Sequence, residues 1–191
     1  MKLSVNLTLT LAATIILTGA GCAQNTSKPT STAVVPEGYA THDVAGQHFT
    51  ISYPSNWEDN RTDIEGTDYE ALFYAPYEND EDVFADNFSV NEIVAPKNNL
   101  TVKQYFDTNM AAIESEGGYK HISTTDITTD GYAAKRWEAT KVSEKSGELH
   151  FVQAYALTPD NAYVVTCTMS ESSKDLYIDS CDKIIGSLKF R

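Results

Sequence analysis

The chain has 191 residues, with 27 acidic against 14 basic side chains and a formal net charge of −13. A surface this acidic repels phosphate backbones and anionic headgroups, which sets aside nucleic-acid binding and electrostatic adhesion to membranes. It contains no G-x-S-x-G, Walker loop or G-x-G-x-x-G, so no common catalytic motif names an enzyme class.

Residues 1–21 read as an export leader. Lys2 precedes the apolar run of residues 11–17, which gives way to the small residues Thr18, Gly19, Ala20 and Gly21. A charged start, a short apolar middle and a small-residue cleavage zone are the parts of a secretory signal peptide. Cys22 follows directly, and the arrangement resembles the bacterial lipobox, with Gly19 standing where that pattern has Leu. The resemblance implies that Cys22 is acylated, becomes the first mature residue and anchors the protein to a membrane of the cell envelope on its extracytoplasmic side. An ordinary secreted protein cut near Ala20 or Ala23 is the alternative. The apolar run is interrupted and falls short of the ~20 residues of a membrane span. Residues 22–37 are rich in Ser, Thr, Asn and Pro, a composition that buries too little apolar surface to offset its ordering entropy, and they read as a flexible tether. Residues 38–191 are enough for one domain with its own core.

Within that domain, residues 48–53 alternate Phe49, Ile51 and Tyr53 with polar partners and predict a half-buried strand ended by Pro54. Residues 69–75 form a second strand stopped by Pro76, and an acidic loop follows with Glu78, Asp80, Glu81, Asp82 and Asp86. Residues 87–94 form a third. Thr101 and Gln104 make a capping box, after which Val102, Phe106, Met110 and Ile113 share one helical face before Gly117-Gly118. Strands are expected at 119–125, 132–142, 147–157 and 162–169, with a hairpin at Ser146-Gly147. A second helix is expected from Ser172, as N-cap, to residue 185, ended by Gly186, and a short edge strand closes the chain. Hairpin-linked strands with two helices give an α+β class: an antiparallel sheet with helices packed on its faces.

Three phrases carry a resemblance to a family. They are the strand, aromatic-Pro turn and Trp from Phe49 through Pro54 to Trp57; the Gly-led strand from Asp130 and Gly131 to Trp137; and the helix end and terminal strand from Ile184 through Gly186 to Phe190. In order and spacing they resemble the PsbP-like group, which shares its α/β/α sandwich with DcrB-type lipoproteins and a nuclear-import factor. The resemblance covers residues 45–191 and implies the fold. Its members' tasks range from photosystem assembly to envelope integrity, so it implies no single function.

Candidate chemistry is sparse. With Cys22 assigned to lipid, Cys167 and Cys181 remain, and outside the cytoplasm such a pair can oxidise. Helix rise places Cys181 ~13 Å beyond the helix start, whereas strand rise places Cys167 ~7 Å before the strand end. A tilted helix would close the gap, so a disulfide and two separately buried thiols both stand. The acidic loop lacks the D-x-[DN]-x-[DN]-G spacing of a calcium loop and reads as a solvated charge run. His42, His48, His121 and His150 lack zinc spacing. No catalytic residue, metal site or cofactor is expected. Tyr69, Tyr74 and Tyr77, with Asp80, Glu81 and Asp82, form a candidate surface for a protein partner, since amphipathic aromatics suit interfaces. The expected function is a non-catalytic, membrane-tethered binding or accessory module. An envelope hydrolase with a dispersed active site, or a small-molecule or metal carrier, is the alternative.

Overall fold

A computed structural model describes residues 35, 37–60, 67–79, 82–95 and 100–191. Residues 1–21, expected to be an export leader, and Cys22 lie outside these residues, as do Asp80 and Glu81. Among the described residues, ten strands and two helices follow in the order β1 (Tyr39–His42), β2 (Phe49–Pro54), β3 (Glu58–Asp59), β4 (Ala71–Tyr74), β5 (Asn87–Val94), α1 (Val102–Glu116), β6 (Tyr119–Thr129), β7 (Tyr132–Ser143), β8 (Gly147–Leu157), β9 (Asn161–Ser170), α2 (Lys174–Ser187) and β10 (Lys189–Phe190).

The central sheet has seven strands in the order β3-β4-β5-β9-β8-β7-β6, and β1-β2-β10 form a separate three-stranded sheet. Every pairing is antiparallel. Tight turns explain much of this. At the β6–β7 turn Asp130 has φ 48° and Gly131 φ 81°, and Thr129 pairs with Tyr132. Two consecutive positive φ values are what a two-residue type I′ hairpin demands, and Asp-Gly meets the demand. The Asp130 carboxylate also accepts the Phe190 N–H at 2.9 Å, which ties this hairpin to the last strand.

Helix α1 begins as its cap motif dictates. The Thr101 hydroxyl accepts the Gln104 N–H at 3.2 Å, and the Gln104 side chain accepts the Thr101 N–H at 2.9 Å. The helix lays Tyr105 and Phe106 on one face of the central sheet, against Trp137, Ala139, Phe151 and Tyr155. The other face carries α2 and the small sheet, where Phe49, Ile51 and Phe190 meet Phe73, Phe88, Val90, Val165, Ile184 and Ile185 in the larger core. The result is an α+β sandwich with a helix on each face of an antiparallel sheet. Because both faces are covered, β8 and β9 are buried almost along their whole length, polar Gln153 and Thr166 included; these two satisfy each other at 3.1 Å.

Helix α2 departs from the sequence expectation at both ends. Its N-cap position is Ser173, not Ser172, with no side-chain cap bond, because the Ser173 hydroxyl turns back to the carbonyl oxygen of Ser170 at 3.2 Å. Gly186 does not end the helix. It lies inside the last turn, and the stop comes after Ser187, whose hydroxyl donates to the Ile184 carbonyl at 2.7 Å and accepts the Ser52 N–H at 2.8 Å. Side-chain bonding to β2 replaces the glycine cap. Cys167 on β9 and Cys181 on α2 are joined by a disulfide, with Cα atoms 6.2 Å apart. Among the described residues no helix is long and apolar enough to cross a membrane.

Candidate binding site

Four pieces of chain meet at one end of the sandwich: the segment between β4 and β5, the end of β9, the first turn of α2 and the β7–β8 hairpin. Pro76 stops β4. The Asp82 carboxylate accepts the Phe84 N–H at 3.2 Å, an Asx-type turn that bends the segment back toward β5. Ser170 ends β9, and its hydroxyl lies 2.8 Å from those of both Ser172 and Ser173, a knot that turns the chain into α2. Between these pieces is a cavity of about 360 Å³, whose walls include Glu78, Asp82, Phe84, Ser146, Ser173 and Leu176.

Its electrostatics are set by three carboxyl groups. Glu78 titrates at about 7: partial desolvation favours its acid form, and so does a proton shared with Asp82. The Tyr177 hydroxyl bonds Glu78 and pulls the other way. Burial works against the Asp82 anion, but bonds from Glu78 and from the Phe84 backbone outweigh it and hold Asp82 below the usual carboxylate range. Asp86 is 2% exposed. One of its oxygens accepts the Ser170 N–H at 2.6 Å, whereas Oδ2 is buried with no hydrogen-bond partner. Burial pushes the Asp86 carboxyl up, although Ser173 and Ser170 act to lower it. The acidic segment is therefore more than a solvated charge run, because Asp86 anchors it beneath the start of α2.

The six residues of the candidate partner surface are only partly gathered here. Asp82 lines the cavity, and Tyr77, 62% exposed, is adjacent to Glu78. Tyr74 is half-buried in β4 opposite Asn87. Tyr69 precedes the far end of β4, where its hydroxyl bonds Ser89 and burial raises its pKa. Asp80 and Glu81 are not among the described residues. Sequence reasoning missed the contributions of Ser146 and of the first turn of α2. Nothing local signals either, since they arrive from more than sixty residues downstream. Asp86 had a faint signal: it is the last acid before a strand of strong alternation. Among the described residues no group of three or more His, Cys, Asp or Glu is arranged to hold a metal ion.

Solved structures with the same architecture decide the fold. Cyanobacterial PsbP (CyanoP) from Synechocystis sp. PCC 6803 superposes with a TM-score of 0.60 at 14% identity, over 85% of this chain and 98% of that one. The fold is PsbP-like. Protein PA94 from Pseudomonas aeruginosa shares the PsbP-like sandwich at TM-score 0.56 and 15% identity, over 80% of this chain and 97% of its own. LpqN of Mycobacterium tuberculosis, described as involved in cell envelope biogenesis, does so at TM-score 0.56 and 8% identity, over 79% and 90%. No protein-family model and no curated protein sequence matches the chain. At these identities the likeness establishes the PsbP-like fold and transfers no function.

Proposed function

We propose that this protein is a non-catalytic module of the bacterial envelope, anchored to a membrane through lipid on Cys22. Residues 22–37 serve as the tether of a single domain, residues 38–191, which binds a protein partner through the acidic cavity and its rim. The envelope address rests on the leader and on the small residues before Cys22. The disulfide suits an oxidising compartment, and LpqN, of the same fold, is described as involved in cell envelope biogenesis. The binding role is carried by one observation: two exposed apolar side chains, Val83 at 76% and Leu176 at 60% exposure, come from separate segments and meet on the lining of one cavity.

A second reading has one observation in its favour. Two carboxyl groups sharing a proton, one titrating near neutrality, are also the equipment of general acid–base hydrolysis. Hydrolysis of an envelope-type ester or glycoside that disappears in Glu78→Gln would favour it over the binding role.

Replacement of Cys22 by Ser tests the anchor. The unaltered chain is expected to incorporate labelled palmitate and to sediment with membranes, whereas Cys22→Ser is expected to carry no label and to appear in the soluble fraction. Label that persists in the variant overturns the anchor.

A further inference from the structure

We infer that the Cys167–Cys181 bridge is a redox latch on the cavity. Oxidised, it holds the first two turns of α2 in place; opened by a dithiol reductant, it releases them, with Leu176 of the cavity wall, while the rest of the domain stays folded. The consequence for binding rests on the reading of this face as a partner surface, and the latch itself does not.

The bridge closes the chain between residues 167 and 181 into a loop. Of the residues that line the cavity, Ser170, Ser172, Ser173 and Leu176 all lie within that loop. Closing a loop removes conformational freedom from the chain inside it, and opening it restores that freedom. The two halves of α2 are fastened unequally. Behind the bridge the helix is held by the core. Ile184 and Ile185 are buried, the Ser187 hydroxyl accepts the Ser52 N–H at 2.8 Å, and Asp182 accepts a bond from Arg136 Nε at 2.8 Å. In front of it no residue from Lys174 to Ser180 is buried, and the N-cap Ser173 makes no side-chain cap bond. Tyr177 and Ile178 are half-buried against the core; the Tyr177 ring is 5.4 Å from that of Trp57, and its hydroxyl bonds Glu78. Asp175, Asp179 and Ser180 are poor helix formers, and two helical turns do not hold by themselves in water. Ser173 stays tied to Ser170 at 3.2 Å, so opening the bridge frees the stretch from Lys174 to Ser180.

Opening takes two exchange steps. A thiolate of the dithiol attacks one sulfur of the bridge, the S–S bond breaks to leave a mixed disulfide, and the other cysteine departs as a thiolate that takes up a proton. The reductant's second thiol loses its proton, attacks the mixed disulfide, closes a cyclic disulfide and expels the remaining cysteine, which is protonated in turn. The two protein sulfurs gain two electrons and two protons, and the dithiol loses them. Cys167 and Cys181 are each 1% exposed, so a reductant reaches them when the front of α2 lifts, a local opening that costs less than unfolding the domain. The rate of reduction therefore reports how firmly that front is held. Reduced cysteines pack as small apolar side chains, which leaves the core and the rear of α2 in place.

The test compares backbone order by NMR in the full chain in detergent micelles, oxidised and after treatment with dithiothreitol. Order parameters at Leu176, Tyr177 and Ile178 are expected near about 0.85 in the oxidised chain and below about 0.6 in the reduced one, with Ile184, Ile185 and Val165 near about 0.85 in both. Order retained at residues 176–178 after reduction, or lost equally at Ile184 and Val165, would overturn the inference. Reduction kinetics give a second reading. Tyr177→Ala, which removes the contact with Trp57, is expected to speed reduction by dithiothreitol about tenfold. Asp182→Asn, which breaks the ion pair behind the bridge, is expected to change the rate by less than about threefold. A parental rate in Tyr177→Ala, or equal acceleration by both variants, would also overturn it. Loss of order on reduction with no partner adduct from a photoreactive residue at position 83 in either redox state would confirm the latch and remove the partner surface.

Discussion

Replacing Cys167 and Cys181 together by Ala is expected to lower the stability of the domain by about 3 kcal/mol, the loop-closure value for a bridge spanning roughly fifteen residues. The two cysteines are 14 residues apart, and their bridge fastens α2 across β9. For a domain of this size such a loss corresponds to about 6–12 °C in melting temperature. The effect reaches the site. Leu176 and Tyr177 stand on the first turn of α2, within two turns of Cys181, so the cavity wall is held in place by the covalent link and by burial of Ile184 and Ile185. Thermal unfolding of the double variant, compared with the oxidised and reduced parent, is the measurement. The variant and the reduced parent are expected to melt together and below the oxidised parent. Identical melting of all three would remove the bridge from the account.

Phe73→Ala is expected to cost about 3–5 kcal/mol, the range for deletion of a fully buried aromatic side chain. The Phe73 ring lies on Phe88 with centroids 4.6 Å apart and planes inclined by 8°, and its other neighbours are Tyr53 at 4.2 Å and His42 at 5.3 Å. These residues come from β5, β2 and β1, so the ring is the point at which the small sheet is fixed to the central one. Collapse cannot fill the space from both sheets at once, which favours the upper part of the range. Val142→Ala is the control: Val142 is 63% exposed on β7, and its truncation is expected to change stability by less than about 0.5 kcal/mol. Denaturant unfolding of both variants is the check, and a Phe73→Ala loss below about 1 kcal/mol would contradict this picture of the core.

What could be read in the sequence was what is written locally. The strands at Asn87–Val94 and Gly147–Leu157 and the start of α1 match expectation, because alternation, turn residues and a capping box are properties of a few adjacent residues. The three-stranded sheet was not legible. Its register sets Lys189 against Thr50 and Tyr39 against Pro54, pairings decided by packing over the core and not by any pattern within residues 39–42. The end of α2 was misread for a similar reason: Gly186 looks like a stop, but Ser187 is held by β2 from 135 positions away. The site was half legible. The acids and tyrosines of the segment after β4 stood out by composition. Their wall did not, because Ser146, Ser170 and Leu176 carry no signal until the fold brings them together.

The most direct test of the account is site-specific photocrosslinking in native membranes, with a photoreactive phenylalanine in place of Val83, of Leu176 or of Thr125, which is exposed on β6. The account predicts one discrete adduct, the same from positions 83 and 176, absent from position 125 and lost when Asp82→Ser is added. Adducts that are equal from all three positions, or that ignore Asp82→Ser, would contradict it.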